Sequence, residues 1–257
     1  MSITASIVAY HTDSAELRSA LRLLSGSEVR RIYVIDNAAD SETALLCADF
    51  NKAVYIPSSN RGYGAGHNIA LRVALDSGTD YHLVMNSDVT FIPEVLLQIG
   101  AYMDAHPDVG AVQPKIVNPD GSLQFTVRRI PAPIDLIGRR FIPGWERTRR
   151  NYRYEMRDLD HERSFEAPVF QGSFMFLRCD ALRRVGLFDE RFFMYPEDID
   201  LTRRIHEHYL TMYIPEPVVI HNHRRASYRS LRMLAIHCVN MIRYFNKWGW
   251  FNDSGRH

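Results

Sequence analysis

The sequence predicts an α/β domain with a mostly parallel sheet flanked by helices, for three reasons. Apolar runs alternate with segments in which leucines recur every three or four residues, and this alternation is typical of parallel sheets covered by helices. The chain of 257 residues is long enough for a large core, and its 46% hydrophobic and 24% charged residues are ordinary for a globular domain. Polar residues follow several of the apolar runs. We therefore expect a single domain over residues 1–257.

The first half of the chain carries the clearest pattern. Leu17, Leu21 and Leu24 have helical spacing, as do Leu71 and Leu75. The apolar runs between such segments predict buried strands at residues 4–10, 31–36, 54–57 and 81–85.

Past residue 108 the simple alternation ends. A strand is predicted at 109–116, a turn at Asn118–Gly121, and a returning hairpin strand at 123–127. Further on we expect one strand over 169–178, helices near Ala181 and at 198–208, and a short strand at 218–220. A helix over 230–250 completes the pattern. It carries both apolar and basic residues, so it either packs on the domain or rests on an anionic membrane.

Charge is distributed unevenly along the chain. Residues 1–127 hold 8 Lys and Arg against 14 Asp and Glu, whereas residues 128–257 hold 23 against 16. Residues 128–163 alone contain ten arginines and six acids. We interpret 128–165 as a mobile, partly helical insertion over the crevice in which a sheet of this kind binds its ligands. The basic half either faces an anionic partner or is an unevenly charged solvated surface.

Nothing in the sequence predicts secretion or membrane insertion. The first residues lack a basic segment before an apolar run, and no apolar stretch approaches the ~18 residues that span a bilayer. The three cysteines are far apart and form no CxxC pair. We expect a cytoplasmic protein, with peripheral contact at the inner face of the membrane as an open alternative, and no nucleic-acid partner.

Polar residues should converge at one edge of the sheet, because ligands of such folds bind beyond the carboxyl ends of parallel strands. This edge would gather Tyr10-His11, Asp36-Asn37, residues 58–66 and Asn86-Ser87-Asp88. Asp88 follows a strand and suits Mg²⁺, which takes one or two carboxylates and completes its shell with water and phosphate oxygens. A turn or capping role for Asp88 is the alternative. His221 also follows a predicted strand and could complete a metal shell or contact a diphosphate.

Residues 60–68 form a glycine-rich loop between a strand and a helix, where backbone N–H groups favour phosphate. Its glycines run G-x-G-x-G, so the dinucleotide fingerprint is not met. A flexible turn is the alternative.

Three acids occur within four positions at Glu197, Asp198 and Asp200, where a helix is predicted to begin. Helix capping explains one or two of them. The apolar residues 192–195 lie immediately upstream, and a carboxylate beside such a wall has a raised pKa suited to a general base.

In order and spacing, these segments resemble a family 2 glycosyltransferase of the GT-A fold, in the branch that includes bacterial rhamnosyltransferases. The resemblance rests on residues 7–10, 34–37, 60–68, 85–89, 172–178 and 186–201, and on His221. It implies that Asp198 is the catalytic base and that Glu197 orients the acceptor or the base. It also implies that Asp88 and His221 serve a Mg²⁺ or Mn²⁺ ion and the diphosphate. The other residues expected to bind the nucleotide sugar are Ala9, Tyr10, His11, Asp36, Asn37, Asn60, Gly62, Gly66, Asn68, Asn86, Ser87, Gly172 and Arg224.

The sequence departs from the DxD pattern by carrying Asn86 where the first Asp often stands, which is similar to the variant of the rhamnosyl-like branch. The resemblance divides the chain into a nucleotide-sugar half at 1–117, an acceptor and catalytic half at 118–227, and a C-terminal helical segment at 228–257.

The resemblance implies an inverting transfer of a sugar, with L-rhamnose from its dTDP form as the suggested donor. The acceptor would be a hydroxyl of a glycan or polyprenyl-linked acceptor in bacterial surface polysaccharide synthesis. Two alternatives are a nucleotidyltransferase, disfavoured by Tyr10–Asp13 in place of a basic glycine-rich loop, and a sugar-nucleotide-binding subunit without turnover.

Overall fold

A mixed sheet forms the centre of the computed structural model, which describes residues 1–222 and 231–256. The strands within these ranges are β1 (Ile3–Ala9), β2 (Val29–Asp36), β3 (Ala53–Pro57), β4 (Tyr81–Met85), β5 (Val89–Thr90), β6 (Val109–Val117), β7 (Val127–Arg128), β8 (Phe165–Glu166), β9 (Val169–Phe170), β10 (Phe174–Arg178) and β11 (Leu210–His221). The helices are α1 (Ser14–Ser25), α2 (Ser41–Ala48), α3 (Tyr63–Asp76), α4 (Glu94–Ala105), α5 (Pro133–Phe141), α6 (Arg149–Tyr154), α7 (Cys179–Val185), α8 (Glu197–His206) and α9 (Leu231–Trp248).

The sheet has the strand order β3-β2-β1-β4-β10-β6-β11-β5, and β8 also pairs with β11. The first four strands are parallel, as are β6 and β11, whereas β10 runs antiparallel between β4 and β6. The chain order reverses between β1 and β4, and the adjoining strand ends form a crevice of the kind in which α/β folds bind ligands. The predicted alternation in the first half is confirmed.

Local sequence explains where the first helix begins and which face it buries. The Asp13 side chain caps α1 by accepting hydrogen bonds from the amides of Ala15 and Glu16. The leucines at 17, 21 and 24 are fully buried against the sheet, and this burial supplies most of the stability of such an amphipathic helix.

Three strand predictions need correction. The predicted strand 169–178 is two strands in different sheets, because Gln113 Nε2 donates to the carbonyls of Gln171 and Phe174 and holds the loop between them. The predicted hairpin strand 123–127 reduces to one bridge between Val117 and Leu123, since β7 pairs with β9 instead. The short last strand extends over Leu210–His221.

The arginine-rich insertion contains α5 and α6, so its predicted partial helicity is confirmed. Arg139 and Arg157 pair with the carboxylate of Glu155, and Arg128 lies 3.9 Å from it. Tyr154 is buried beside this group. The predicted mobility of the insertion stays a prediction.

Helix α9 packs on α8, in agreement with the packing alternative. The Asp200 carboxylate accepts from Trp248 Nε1 at 2.8 Å and lies 2.6 Å from Lys247 Nζ. Arg203 pairs with Asp253 and stacks on the Trp248 ring, with 3.9 Å between the guanidinium carbon and the ring centroid. Removing one partner of such a buried ion pair is strongly destabilising. The C-terminal segment therefore stabilises the position of α8. No helix within the described residues is long and apolar enough to cross a membrane.

Candidate functional site

Tyr63 connects the two sides of the crevice. It lies in the first turn of α3, and its hydroxyl donates to the Gly172 carbonyl at 2.6 Å and lies 3.1 Å from Asn86 Oδ1. Burial, then the carboxylates of Glu197, Asp198 and Asp88, raise the pKa of Tyr63. All three carboxylates therefore lie near one phenol, which brings both predicted halves of the site together.

The ends of β1 and β2 form one wall of the crevice. Ala9 pairs in register with Asp36, and the Asn37 amide donates to the Ala9 carbonyl at 2.8 Å. The buried Asp36 carboxylate accepts from the amides of Ala38 and Asp40 and from the Tyr55 hydroxyl. Asp36 thus shapes the loop after β2. Its predicted contact with the nucleotide stays a prediction.

Two aromatic side chains follow β1 at the surface. Tyr10 and His11 are exposed, with their ring centroids 4.5 Å apart, and His11 has a φ of 51°. Accessible aromatic faces are available for stacking with a planar ring such as a nucleobase.

Asn86, Ser87 and Asp88 follow β4 at the same edge of the sheet, and we call these three residues the Asn86–Asp88 rim. The Asn86 amide donates to the Ser173 carbonyl at 3.0 Å, and the Ser87 hydroxyl donates to the Glu16 carboxylate on α1. The Asp88 carbonyl accepts from the Asn222 amide at 2.9 Å, which places His221 beside the Asp88 side chain. Asp88 Oδ1 lies 3.2 Å from His221 Nε2.

Gln124 determines which nitrogen of the neutral His221 ring carries the hydrogen. Its Nε2 donates to Asn118 Oδ1 at 2.6 Å and to the His221 carbonyl at 2.7 Å, which orients Oε1 toward His221 Nδ1 at 2.9 Å. Because Oε1 can only accept, Nδ1 must carry the hydrogen. In the neutral imidazole, Nε2 then presents its lone pair toward the Asp88 carboxylate.

A carboxylate oxygen and an imidazole lone pair facing each other are suited to a divalent cation. Within residues 1–222 and 231–256, no group of three or more His, Cys, Asp or Glu side chains could hold a metal by itself. Asp88 and His221 would therefore supply two ligands, and phosphate oxygens and water would complete the shell.

Two glycines of the glycine-rich loop meet steric demands of the fold. Gly62 has a φ of 105°, and a Cβ there would lie 2.0 Å from the Phe193 carbonyl oxygen, so only glycine fits. Gly66 N donates to the Gly62 carbonyl, and a Cβ on Gly66 would lie 2.7 Å from Val8 Cγ2. The predicted contacts of both glycines with the nucleotide sugar stay predictions.

Asn68 and Asn60 also serve the fold. The buried Asn68 amide donates to the Phe188 carbonyl and accepts from the Phe188 amide, which ties α3 to residues 188–190. Its predicted contact with the nucleotide sugar stays a prediction. Asn60 Oδ1 accepts from the Gly62 amide at 3.2 Å and remains exposed, so its donor contact stays a prediction.

Helix α8 begins with two acids in different environments. Asp198 Oδ2 accepts from the Gly172 amide at 3.0 Å, and Oδ1 accepts from the Ile199 amide. The predicted contact of Gly172 with the nucleotide sugar stays a prediction. Burial raises the pKa of Asp198, and these amides and Arg128 oppose that rise. Burial and the Asp198 charge raise the pKa of Glu197 well above its usual range. Burial thus raises the pKa of both carboxyls, as is common in catalytic sites.

A cavity of about 170 Å³ lies beside Asp198. Arg128, Arg139 and Arg140 line one part of it, and Leu136 and Met241 line another. Glu197 is 4% exposed and packs beside Gly64 instead. Asp198 is therefore the carboxylate that a substrate in this cavity can reach.

Sequence reasoning missed Tyr63, Gln124 and the cavity arginines. Tyr63 lies inside the glycine-rich motif and was detectable there, whereas Gln124 lies in a predicted strand with no motif of its own. The arginines belong to the insertion, whose composition predicted a positive charge but not where in the fold the arginines would lie. The predicted contact of Arg224 lies outside the described residues.

Two solved structures with this fold contain a nucleotide or a nucleotide sugar together with Mn²⁺. A Pyrobaculum calidifontis mannosyltransferase in complex with GDP-Man and Mn²⁺ superposes with a TM-score of 0.65 at 17% identity, covering 96% of this chain and 64% of that one. GalNAc-T7 with UDP, GalNAc and Mn²⁺ gives a TM-score of 0.69 at 12% identity, covering 96% of this chain and 48% of that one. The architecture is thus the GT-A fold, as expected.

Residues 6–186 match the sequence profile of Glycosyl transferase family 2, and the chain belongs to that family. It is 33% identical over 191 residues to the N-acetylglucosaminyl-diphospho-decaprenol L-rhamnosyltransferase of Mycobacterium tuberculosis, covering 67% of this chain. The match spans 59% of that relative, less than two thirds of its length. The Escherichia coli rhamnosyltransferase WbbL is 26% identical over 208 residues, covering 77% of this chain and 75% of that one. These relatives support the rhamnosyltransferase-like branch.

Proposed function

We propose that this protein transfers a sugar, with inversion, from a nucleotide-diphosphate donor to an acceptor hydroxyl. The observation that carries the proposal is the position of Asp198, which lines a cavity and connects through Gly172 and Tyr63 to the Asn86–Asp88 rim. Donor and acceptor sites would meet there. Family membership favours this proposal over a nucleotidyltransferase.

The residues divide the reaction between them. Asp198 would take the proton of the acceptor hydroxyl as that oxygen attacks the anomeric carbon, and the bond from this carbon to the donor phosphate would break. A single displacement from the opposite face inverts the configuration. The buried Glu197 would orient the acceptor or the base.

Asp88 and His221 would hold Mg²⁺ or Mn²⁺ in this proposal. The cation would stabilise the charge that develops on the departing diphosphate. Gln124 would maintain the metal-binding tautomer of His221, and Asn86 would face the donor from beside Tyr63. The retained base at Asp198 favours a catalytic protein over a binding subunit without turnover.

The names of the relatives suggest the substrates. The two rhamnosyltransferases support L-rhamnose as the sugar, with dTDP-rhamnose as the donor to test first. The acceptor named for the mycobacterial relative is a diphosphate-linked polyprenol, which supports a lipid-linked acceptor here. Both assignments belong to the proposal, as does a role in bacterial surface polysaccharide synthesis.

A thermal-shift screen tests the proposal. The melting temperature should rise with dTDP or UDP and their sugar derivatives, because ligands that bind only the folded state stabilise it. A ligand present at ~100 times its dissociation constant adds about 2.7 kcal/mol. Adding Mg²⁺ or Mn²⁺ should increase the shift. No response to any nucleotide diphosphate or nucleotide sugar would contradict the proposal.

We also propose peripheral contact with an anionic membrane. Helix α5 exposes Ile134, Ile137 and Phe141 along one side, and α9 exposes Val239 and Ile242. The ten arginines and six acids of the surrounding insertion give this region a positive charge that suits anionic lipid.

Co-sedimentation with vesicles tests the membrane contact. We expect binding to phosphatidylglycerol vesicles at low salt, weaker binding at high salt because charges are screened, and several-fold weaker binding for Ile137→Ser with Phe141→Ser. The control pair is Leu45→Ser with Val73→Ser, which are exposed elsewhere. Equal binding by both pairs would exclude α5 from the contact.

A further inference from the structure

The cavity beside Asp198 contains more positive charge than the catalytic step requires. Arg128 from β7 and Arg139 and Arg140 from the last turn of α5 line it. Arg128, Arg139 and Arg157 also surround the single carboxylate of Glu155, so this group carries a positive excess. An excess of guanidinium groups on a cavity wall is suited to phosphate, which Arg binds with paired donors.

Two buried polar atoms of the cavity residues indicate that the cavity binds a ligand. Arg128 Nε and His237 Nε2 are buried and form no hydrogen bond with any part of the chain that the structure describes. Leaving such groups unsatisfied is costly. Burial and the nearby Arg140 charge also lower the pKa of His237 to about 4. A phosphate oxygen in the cavity could accept a hydrogen bond from Arg128.

Part of the remaining wall is apolar. Leu136 on α5 and Met241 on α9 line the cavity, and both belong to one cluster with Tyr154 and Phe245. Methionine adapts to irregular apolar ligands. A cavity of roughly 150 Å³ can hold a molecule as large as benzene, so this one, of about 170 Å³, can admit a compact anionic group while the rest of the ligand extends outside it.

We propose that this cavity binds the diphosphate of a prenyl diphosphate-linked acceptor. The arginines contact the diphosphate, the prenyl chain leaves along Leu136 and Met241, and the acceptor sugar reaches Asp198. This inference rests on the proposed function and assigns the residues that select the acceptor. The donor diphosphate lies elsewhere, at Asp88 and His221, so the two anions occupy separate subsites.

Calorimetric titration of the full chain with farnesyl diphosphate tests the subsite without turnover. We expect binding that is tighter than that of inorganic pyrophosphate or of uncharged farnesol, and that dTDP and UDP do not displace. Arg140→Gln should weaken it about tenfold or more, through loss of charge-assisted hydrogen bonds. Arg140→Lys should restore part of the loss. Arg163→Gln, an exposed position in the same insertion, is the control with unchanged affinity.

The outcomes separate this inference from the proposed function. Displacement by dTDP or UDP would assign the arginines to the donor and overturn the subsite. Equal affinity for pyrophosphate and farnesyl diphosphate would overturn the apolar part, and absence of farnesyl diphosphate binding would overturn it entirely. These measurements on the unmodified chain decide the matter even where Arg140→Gln fails to fold. Nucleotide binding in the thermal-shift screen is judged independently.

Discussion

Asp198→Asn should lower the rate of sugar transfer by at least ~10²–10⁴-fold, the usual contribution of a positioned general base. Asparagine keeps the shape of the side chain, and its carbonyl oxygen can still accept from the Gly172 amide that now bonds Asp198 Oδ2 at 3.0 Å. It cannot take a proton from the acceptor hydroxyl. Donor affinity should remain nearly unchanged, because the Asn86–Asp88 rim, where the donor is proposed to bind, lies on the other side of Tyr63.

Steady-state transfer and donor binding by calorimetry are the measurements. The control is Asp180→Asn, an exposed acid on α7 that pairs with Arg183. Unchanged turnover in Asp198→Asn would remove this carboxylate from the mechanism. Loss of donor affinity equal to the loss of rate would assign it to binding instead.

The pH dependence of the transfer rate also tests the role of Asp198. A base acts in its ionised form, so transfer should increase as pH rises through the pKa of Asp198, which burial raises. Arg128 opposes that rise, because its positive charge favours the carboxylate. Arg128→Gln should therefore move the rising limb to higher pH. A rising limb that does not move would show that Arg128 has no electrostatic effect on the base.

Strand ends and helix starts could be predicted from the sequence, because both depend on local patterns. The apolar runs before Asp36 and Asp88 located two strand ends, and the parallel sheet then required those ends to meet. The acids after Tyr195 located the start of α8. Each of these inferences needs only neighbouring residues and the rule for parallel strands.

Residue roles that depend on distant partners could not be predicted in this way. Gly66 and Asn68 lie in a motif suited to phosphate, yet one packs on Val8 and the other bonds Phe188, which is 120 residues away. Gln124 acquires its role from His221, 97 residues along the chain. Such pairings are set by the tertiary fold, and single-sequence patterns carry no record of them.

The position of the arginines in the insertion could not be predicted from composition either. The basic half of the chain, which contains the insertion, predicted either an anionic partner or a solvated surface, and nothing in the sequence favoured either. The fold brings Arg128, on a strand, beside Arg139 and Arg140, on a helix, at the cavity that Asp198 lines. Composition therefore gave the sign of the charge but not its place.

Removal of the divalent cation should stop transfer, and Mg²⁺ or Mn²⁺ should restore it. Asp88→Ala should weaken nucleoside diphosphate binding at saturating metal, because it removes one of the two protein ligands that the described residues offer. Gln124→Leu should lower Mn²⁺ affinity by roughly 10–100-fold, the usual cost of losing a partner that orients a ligating histidine. Electron paramagnetic resonance of free Mn²⁺ measures that affinity without turnover.

The outcome for Gln124 distinguishes a metal site from a simple Asp88–His221 ion pair. If His221 serves only as a partner of Asp88, Gln124→Leu leaves Mn²⁺ affinity and chelator sensitivity unchanged. If Asp88 and His221 hold the cation, the variant loses Mn²⁺ affinity while retaining its fold, and a higher Mn²⁺ concentration rescues transfer. Asp76→Ala, an exposed acid at the end of α3, is the control for the removal of one surface charge. Full transfer in excess chelator would contradict the metal and leave cationic side chains to stabilise the departing diphosphate.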